Sequence, residues 1–364
     1  MPDQLQVAFV GCGEIAPHYL PVYRDLDFVR VVACIDTDLE KAKQSAAFLA
    51  KHEPSATTDF QMALGPGVDA VVINTPNFVH RSQAVATLRA DKHVLLQKPL
   101  ASNLADAEAI VLAAQASRRT NGLYMSYFDQ PLFHDLRGLV AEGRLGHVVH
   151  FYAKLMHRHG MRWSNAALQG QPTWRGIVAQ TGGGCFIQLA VHYVHMIEWI
   201  AGAKTVRVTG VKGKLHCHGL EGEDLAVAIL ELDSGAVVTL DTAWCANAEQ
   251  FSIHGTMGAV HYRDNRALSL WSAVGPYAGH VVRYDGARCD SLEGPRGQTQ
   301  ELTIDPPPMG NAANPLNQHR AFLEAARDGR PAFVSIASGL HDMRVVMAVY
   351  ESAKTGAAVR IEEP

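Results

Sequence analysis

The chain has 364 residues, which is too long for one ordinary hydrophobic core and predicts two domains. Hydrophobic residues make up 48% and charged residues 19%, proportions typical of a folded globular protein and not of a disordered one. The net charge of −4 offers no basic excess to neutralise a phosphate backbone, so we expect no nucleic-acid partner.

The first residues and the cysteines indicate the cellular compartment. The sequence MPDQLQVAFVG has no basic stretch followed by a long apolar one, and no apolar run in the chain approaches about 20 residues. Six cysteines are scattered through the chain without a CxxC pair. We therefore expect a cytoplasmic protein with free thiols, no signal peptide and no membrane partner.

The first third of the chain alternates short apolar runs with amphipathic stretches. Strands are predicted at residues 6–10, 29–35, 68–74, 93–96 and 122–126, and helices at 14–25, 39–51, 78–89 and 104–118. Alternating strands and helices with continuously apolar strands predict a parallel sheet covered on both faces. This pattern is typical of a Rossmann domain, which we place at residues 1–126.

The rest of the chain, residues 127–364, predicts a second α/β domain. Strands are predicted at 148–154, 205–215, 225–232, 236–244, 251–254 and 259–262, and helices at 132–142, 186–201, 316–328 and 338–354. A loop with four prolines covers residues 305–315. Because few helices interrupt these strands and Asp233-Ser234-Gly235 indicates a hairpin, we expect a large open sheet that is mostly antiparallel.

The first predicted strand runs directly into GxGxxA, the sequence pattern of a dinucleotide-binding loop. Gly11 would form the tight turn, Gly13 would let the backbone approach the pyrophosphate closely, and Ala16 would let the helix pack on the strand. The second strand ends at Asp36, where a carboxylate hydrogen-bonds a ribose 2′-OH and repels a 2′-phosphate. This favours NAD over NADP, although the nearby Arg30 leaves some use of NADP open. The residues expected at the cofactor from this part are Gly11, Cys12, Gly13, Glu14, Ile15, Asp36 and Thr37.

Two further segments follow strands at the edge where ligands bind open parallel sheets. They supply the remaining expected cofactor residues of this domain, namely Asn74, Thr75, Pro76, Asn77 and His80 after the third predicted strand, and Gln97 and Lys98 after the fourth. The alternative is that both segments are ordinary turns and that the lysine is solvated.

Taken together, these and later motifs resemble the glucose–fructose oxidoreductase / inositol dehydrogenase / rhizopine-catabolism (Gfo/Idh/MocA) family over nearly the whole chain. The resemblance is carried by GCGEIA at 11–16, TPNFVH at 75–80, QKP at 97–99, FDQP at 128–131, EGRLGHV at 142–148, WR at 174–175, GGGCFIQLAVHYVH at 182–195 and GEDLAVAILELDSGAVVTLDTAW at 222–244.

The resemblance implies a Rossmann domain followed by an α/β domain with an open sheet, and a substrate bound between them beside the nicotinamide. It implies hydride transfer on a hydroxyl or ketone carbon of a sugar, cyclitol, glycoside or nucleotide sugar, and a homodimer or homotetramer formed through the second sheet. It also implies that the final helices pack back on the first domain.

Three positions depart from the family pattern. Gln97 replaces the Glu of the common Glu-Lys-Pro, and Gln188 replaces an Asp four residues before a histidine. Tyr127 stands where related dehydrogenases often have Arg. The first two changes keep hydrogen bonding but remove negative charge that would stabilise a cation.

Oxidation of an alcohol by hydride transfer requires a group that takes the hydroxyl proton. A partly desolvated lysine beside a cationic nicotinamide has a lowered pKa, and a histidine titrates near neutrality. We therefore expect Lys98 and His192 at the reacting oxygen, with Lys98 as proton carrier and Gln188 fixing the tautomer of His192. The alternative for His192 is a satisfied core histidine on an apolar helix.

Other polar and aromatic residues are candidates for substrate or cofactor contact, each with a structural alternative. The expected substrate residues are Tyr127, His159, Arg162, Trp163, Gln188, His192 and His195. The segment 157–163 is either a substrate loop or a solvated strand end, and His195 either reaches substrate or closes the pocket. Trp174 and Arg175 either contact the cofactor or are a packed Trp and a surface Arg.

His216-Cys217-His218 resembles half of a zinc site, with both histidines on one strand face, but no second ligand pair follows. We expect no metal. Three functions remain: an NAD-dependent dehydrogenase or ketoreductase, an enzyme that uses NAD transiently for glycoside cleavage or epimerisation without net oxidation, and a non-catalytic NAD-binding sensor.

Overall fold

The computed structural model describes residues 4–263, 267–272, 283–284, 287–288, 299–303 and 307–362. The chain forms two compact units, of which unit 1 comprises residues 1–129 and 308–341 and unit 2 comprises 130–307 and 342–364. The boundary expected after residue 126 lies three residues from the end of the first segment of unit 1. Residues 308–341, with the helix at Gln318–Arg327, complete that unit.

Unit 1 is built on a six-stranded parallel sheet with the strand order β3-β2-β1-β4-β5-β6. Its strands and α-helices up to residue 124 are β1 (Leu5–Val10), α1 (Ala16–Asp25), β2 (Val29–Ile35), α2 (Leu39–Phe48), β3 (Ser55–Thr57), β4 (Ala70–Ile73), α3 (His80–Arg89), β5 (His93–Gln97), α4 (Leu104–Ala116) and β6 (Asn121–Tyr124). Strands β4 and β5 are buried at every residue, as expected of inner strands covered on both faces. The predicted Rossmann architecture is confirmed.

Strand β3 was not predicted from the sequence, and it adds a sixth strand to the five predicted ones. This strand has three residues, Ser-Ala-Thr, and no apolar run that could reveal it. It forms because its backbone pairs in parallel with Ala33–Ile35 of β2.

Unit 2 is built on a nine-stranded sheet with the order β16-β13-β12-β11-β7-β10-β9-β8-β17. Its elements before residue 307 are α5 (Pro131–Ala141), β7 (Val148–Met156), α6 (His159–Leu168), α7 (Val178–Thr181), α8 (Cys185–Ala201), β8 (Thr205–Gly213), β9 (Leu225–Leu232), β10 (Val237–Ala243), β11 (Ala248–Gly255), β12 (Gly258–Arg263), β13 (Ala267–Ser272), β14 (Arg283–Tyr284), β15 (Ala287–Arg288) and β16 (Thr299–Thr303). Only the pairing of β7 with β10 is parallel among the described strands of this sheet, so the predicted mostly antiparallel sheet is confirmed.

The last elements are α9 (Gln318–Arg327), α10 (Gly339–Thr355) and β17 (Val359–Arg360). Helix α8 is the central helix of unit 2, and nearly all of its 17 residues are buried. It packs against strands β7, β9 and β10 of the sheet. In the described part of the chain, no helix is both long and apolar enough to cross a membrane.

Two local predictions are wrong. Residues from His159 onward form α6, where a loop or strand end was expected, because Gly160, Trp163 and Ser164 lie at helical spacing and are buried together. The strand predicted to reach Leu215 ends at Gly213, so His216 and His218 lie in a loop. This loop is held by Asp224, whose carboxylate accepts the backbone N–H of Leu215, His216 and Cys217 at 2.6–2.8 Å.

Candidate active site

The loop between β1 and α1 has a conformation that requires glycine at its first position. Gly11 has a φ of +88°, and a Cβ placed on it would lie 2.6 Å from the carbonyl carbon of Asn74. A side chain is therefore excluded both by the left-handed backbone and by the close approach of the end of β4. A Cβ on Gly13 would meet nothing within 4 Å, which leaves the space beside that residue open to a ligand.

Asp36 connects the end of β2 to this loop. Its Oδ2 accepts the backbone N–H of Cys12 at 2.7 Å, and its Oδ1 accepts the N–H of Asp38 at 2.9 Å. The side chain is half-buried and is followed by the exposed Thr37. The acidic residue predicted for the ribose thus lies at the loop predicted for the pyrophosphate, as dinucleotide binding in a Rossmann domain requires.

The segments after β4 and β5 are joined by a buried histidine. His80 is fully buried, and its Nε2 and Nδ1 lie 2.9 Å from the carbonyl oxygen of Thr75 and 3.0 Å from that of Pro99. Burial lowers the pKa of this imidazole, although both carbonyl oxygens favour its protonated form. These contacts indicate that His80 orders the two loops, and its direct contact with a cofactor stays a prediction. Asn77 is also buried.

Gln97 is the last residue of β5 and Lys98 follows it, and their side chains lie in different environments. The Gln97 side chain is buried, and its Oε1 accepts the backbone N–H of Lys98 at 3.0 Å. The amide Nε2 of Gln97 donates to the hydroxyl of Tyr19 at 3.1 Å. Lys98 is half-buried and is followed by a cis peptide bond to Pro99. Tyr127, on the turn after β6, is buried.

Helix α8 carries the predicted pair of unit 2. His192 is 7% exposed and Gln188 is 8% exposed, and the two lie four residues apart on one helical face. A buried polar pair at this spacing can orient an imidazole, which is the role predicted for Gln188.

The first turn of α8 is held by Glu223, which the sequence did not single out. One carboxylate oxygen accepts the N–H of Gly184 at 3.0 Å, and the other accepts the N–H of Phe186 at 2.9 Å and the Tyr350 hydroxyl at 2.8 Å. A carboxylate at a helix N-terminus satisfies free N–H groups and is favoured by the helix dipole. The glycines before the helix leave no room for a side chain, since a Cβ on Gly184 would collide with the backbone of Glu223.

His195 has a partner that the sequence could not reveal. Its Nδ1 lies 2.7 Å from Oδ2 of Asp342, a residue of α10 that belongs to the same unit. Burial lowers the pKa of His195, but the charge and hydrogen bond of Asp342 outweigh this and raise it overall. The ion pair indicates that His195 anchors α8 to α10, and its contact with substrate stays a prediction.

The aromatic candidates of unit 2 cluster together. The Trp163 ring packs edge-on against Trp244, with centroids 5.3 Å apart, and the guanidinium of Arg175 lies over both Trp163 and Trp174 at 5.0 and 4.6 Å. His159 and Arg162 are exposed, whereas Trp163 is buried. The structure thus brings the 159–163 and 174–175 segments into one aromatic and cationic group.

The described residues contain no group of three or more His, Cys, Asp or Glu side chains that could hold a metal ion. His216 and His218 belong to the loop fixed by Asp224, so the shared strand face considered for them does not exist.

Two family models match almost the full length of the chain. The model described as an oxidoreductase family NAD-binding Rossmann fold matches residues 5–125, and the C-terminal alpha/beta domain of the same oxidoreductase family matches residues 137–361. Both belong to the Gfo/Idh/MocA family, so the resemblance carried by the motifs is confirmed. The prediction of a nicotinamide dinucleotide as cofactor is confirmed as well.

Individual proteins agree with the family models. The chain is 27% identical over 343 residues to 1,5-anhydro-D-fructose reductase of Ensifer adhaerens, and the match covers 91% of each protein. It is 27% identical over 369 residues to inositol 2-dehydrogenase 1 of Saccharopolyspora erythraea, with 92% of this chain and 97% of the relative covered. The crystal structure of an oxidoreductase domain protein from Kribbella flavida shares the fold, with a TM-score of 0.83, 22% identity, and 99% and 100% of the two chains covered.

Proposed function

The chain belongs to the Gfo/Idh/MocA family of NAD-binding oxidoreductases, and from this premise we propose that it transfers a hydride between nicotinamide and a hydroxyl or ketone carbon of a carbohydrate or cyclitol. The observation that carries the proposal is the position of Lys98, which directly follows the buried strand β5 at the ligand-binding edge of the Rossmann sheet. The Lys98 side chain is half-buried and belongs to the same unit as the dinucleotide loop.

In the proposed reaction, Lys98 and His192 both hydrogen-bond the reacting oxygen, and Lys98 carries the proton. NAD supplies the hydride acceptor when it is bound. During oxidation the hydroxyl proton passes to the Lys98 amine, and His192 holds the same oxygen by a hydrogen bond. Gln188 orients His192 through its amide group without adding charge.

The aromatic and cationic group of unit 2 supports a carbohydrate or cyclitol as the substrate class. Indole faces stack on the apolar faces of sugar rings, while guanidinium and imidazole groups bond hydroxyls. The half-buried Trp174 and the exposed His159 and Arg162 offer both kinds of contact, and the buried Trp163 packs beneath Arg175. The related proteins named as an anhydrofructose reductase and an inositol dehydrogenase act on this chemical class.

Assembly and location are part of the same proposal. A homodimer or homotetramer through the sheet of unit 2 is supported by exposed apolar side chains on the neighbouring strands β8 and β9, where Val211 is 65% exposed and Ile229 is 47% exposed. A cytoplasmic location is supported by free thiols at Cys12, Cys34, Cys185, Cys217 and Cys245. Sedimentation at several protein concentrations tests the assembly, and a V211E/I229E variant that sediments as the wild type does would contradict this interface.

The catalytic roles are tested by the Lys98→Ala and His192→Ala variants, with Lys92→Ala as control because Lys92 precedes β5 at the opposite end of the strand. General acid–base groups contribute roughly 10²–10⁴-fold, so we expect each catalytic variant to lose hydride-transfer rate by about that factor. Binding of NAD, measured separately by fluorescence titration, should change little. Near-normal turnover in both variants would contradict the assignment.

A further inference from the structure

One face of the unit 2 sheet carries three histidines on neighbouring strands. His150 of β7 lies opposite His254 of β11, and His261 of β12 lies opposite Ser252 of β11. Residues opposite each other in a sheet share a face, and so do residues two apart on one strand, such as Ser252 and His254. The three histidines therefore lie on one face, and all three are half-buried. We call them the histidine row.

The members of the histidine row contact each other directly. Nδ1 of His150 lies 3.2 Å from Nδ1 of His254, and the two rings are stacked with 20° between their planes. The ring centroids of His254 and His261 are 5.1 Å apart. Nε2 of His150 lies 3.0 Å from the Thr239 hydroxyl, and Nδ1 of His261 lies 3.1 Å from the Ser252 hydroxyl. At these separations the charge of one imidazole acts on the next.

The contact between His150 and His254 limits how many protons the pair can hold. A hydrogen bond between the two Nδ1 atoms needs one donor and one acceptor. When both rings are protonated, two N–H groups face each other and the bond is lost. Burial lowers the pKa of His150, His254 and His261, so the row is uncharged at neutral pH and gains charge as the pH falls below the usual histidine value of about 6.5.

Other charged side chains of this face are paired close to the row. Register through β10, β9 and β8 extends the face beyond β7. On it, Asp241 accepts the Tyr152 hydroxyl at 2.8 Å and lies 3.7 Å from Nζ of Lys154. Glu231 forms an ion pair with Arg207 at 2.9 Å. These acidic and basic groups offset each other, so the two pairs leave the face without net charge.

Three more charged residues belong to the face by register. Arg263 follows His261 by two residues on β12, and Arg360 of β17 lies opposite the arginine of the β8 ion pair. Glu301 of β16 lies opposite Ser269 of β13, which in turn lies opposite His261. Strand β13 has no titratable residue. The face is therefore nearly neutral when the imidazoles are neutral, and their protonation makes it strongly positive.

The apolar side chains proposed for assembly lie on this same face. Ile229 lies opposite Thr239, whose hydroxyl contacts His150, and Val211 lies opposite Val227 on the neighbouring strand. A nearly neutral face with exposed apolar side chains suits contact with a second copy of the chain. In a twofold contact the same patch of each copy meets, so a charge gained by one copy faces the same charge on the other.

We propose that the histidine row makes this face a proton-controlled contact surface, which binds a second copy of the chain while the row is neutral and releases it when the row is protonated. The inference rests on the assembly included in the proposed function and adds its regulation. It does not depend on hydride transfer.

Sedimentation equilibrium of the full chain at pH 7.5, 6.5 and 5.5, at constant ionic strength, tests the inference. Each proton that the separated copies bind and the assembly does not bind changes Kd by up to about tenfold per pH unit. We therefore expect the Kd of assembly to rise at least about tenfold between pH 7.5 and 5.5. An assembly with an unchanged Kd would overturn the inference and leave the proposed assembly standing, whereas a monomer at pH 7.5 would overturn both.

Removal of the titrating groups identifies the source of the pH dependence. In the triple variant H150Q/H254Q/H261Q, the amides accept and donate hydrogen bonds but do not titrate, so Kd should change less than about threefold over the same range. His216→Gln is the matched control, because His216 is exposed in the loop held by Asp224, and it should keep the wild-type response. Equal responses of the triple variant and the control would contradict the inference.

A permanent charge tests the same surface without acid. His261→Lys places a cation on the face at pH 7.5, so we expect Kd at that pH to rise at least about tenfold, with His216→Lys unchanged. Circular dichroism of each variant separates loss of assembly from loss of folding, and it also covers a wild type that unfolds by pH 5.5. A folded His261→Lys variant that assembles as tightly as the wild type would overturn the inference.

Discussion

Oδ2 of Asp36 accepts the backbone N–H of Cys12 at 2.7 Å, so the residue expected to choose the cofactor also shapes the loop expected to bind its phosphates. The carboxylate has two roles that substitution can separate. Its charge repels a 2′-phosphate, whereas its oxygen holds the loop by accepting a backbone hydrogen bond that an amide oxygen could also accept.

The first prediction follows from these two roles. Asp36→Asn keeps one oxygen that can accept the N–H of Cys12, but it removes the charge and places an amide N–H against the N–H of Asp38, so we expect the ratio of kcat/KM for NAD to that for NADP to fall about tenfold. Asp36→Ala loses both roles and should also raise the KM for NAD several-fold. Steady-state kinetics with both cofactors measure the effect, and identical behaviour of the two variants would show that the hydrogen bond to Cys12 is unimportant.

The second prediction concerns the pH dependence of stability in unit 1. Burial raises the pKa of Asp129 to about 7, above the value near 3.9 of an unfolded aspartate. Between these values the folded state binds more protons, so its stability is highest below about pH 4 and is lost as the pH rises to 7.

Urea unfolding of wild type and Asp129→Asn at a series of pH values measures this contribution. The variant should be less stable at low pH but should lose less stability between about pH 4 and 7, because its amide does not titrate. Parallel curves for the two proteins would contradict the raised pKa.

The third prediction separates two histidines on one helix. His195→Gln leaves the buried Asp342 without its charged partner, and Oδ1 of Asp342 is itself a buried atom for which the structure shows no hydrogen bond. Removing one member of a buried ion pair costs about 3–5 kcal/mol, so we expect a large loss of unfolding free energy. The purified variant should keep most of its kcat, unlike His192→Ala. A stable but inactive His195→Gln would instead place that ring at the substrate.

The fourth prediction tests the support of α8. In Glu223→Gln one amide N–H would face a backbone donor or the Tyr350 hydroxyl, which should cost about 1–3 kcal/mol of unfolding free energy. Glu231→Gln is the control, because Glu231 forms an exposed ion pair with Arg207 that is worth at most about 1 kcal/mol. Thermal unfolding compares the two, and equal midpoints would mean that Glu223 does not hold the helix.

Most of the fold could be predicted because the strands of unit 1 are apolar runs and those of unit 2 alternate around turn signals. The exceptions depend on tertiary contacts. Strand β3 is too short and polar to give a pattern, and it forms only through pairing with β2. The α6 segment contains Gly160 and several polar residues, and it becomes a helix because Trp163 packs against Trp244, which lies 81 positions later.

The site residues likewise differ in whether a local pattern predicts them. Asp36 could be predicted from its number of residues after the glycine loop, because the fold sets the sequence separation between the first two strands. Partners such as Tyr19 for Gln97, Glu223 for the start of α8 and Asp342 for His195 are far away in the sequence, and no local pattern pairs them. Whether a polar residue lines a site or supports it therefore depends on tertiary contacts.

Net hydride transfer to NAD from a hydroxylated substrate is tested most directly by the absorbance of NADH at about 340 nm. Wild-type protein with NAD and a panel of sugars and cyclitols should produce NADH in proportion to the substrate oxidised, and Lys98→Ala should slow this at least about 100-fold. Product formed without net NADH would indicate an internal redox cycle, and tight NAD binding without turnover on any member of the panel would indicate a sensor. Either result would contradict the account.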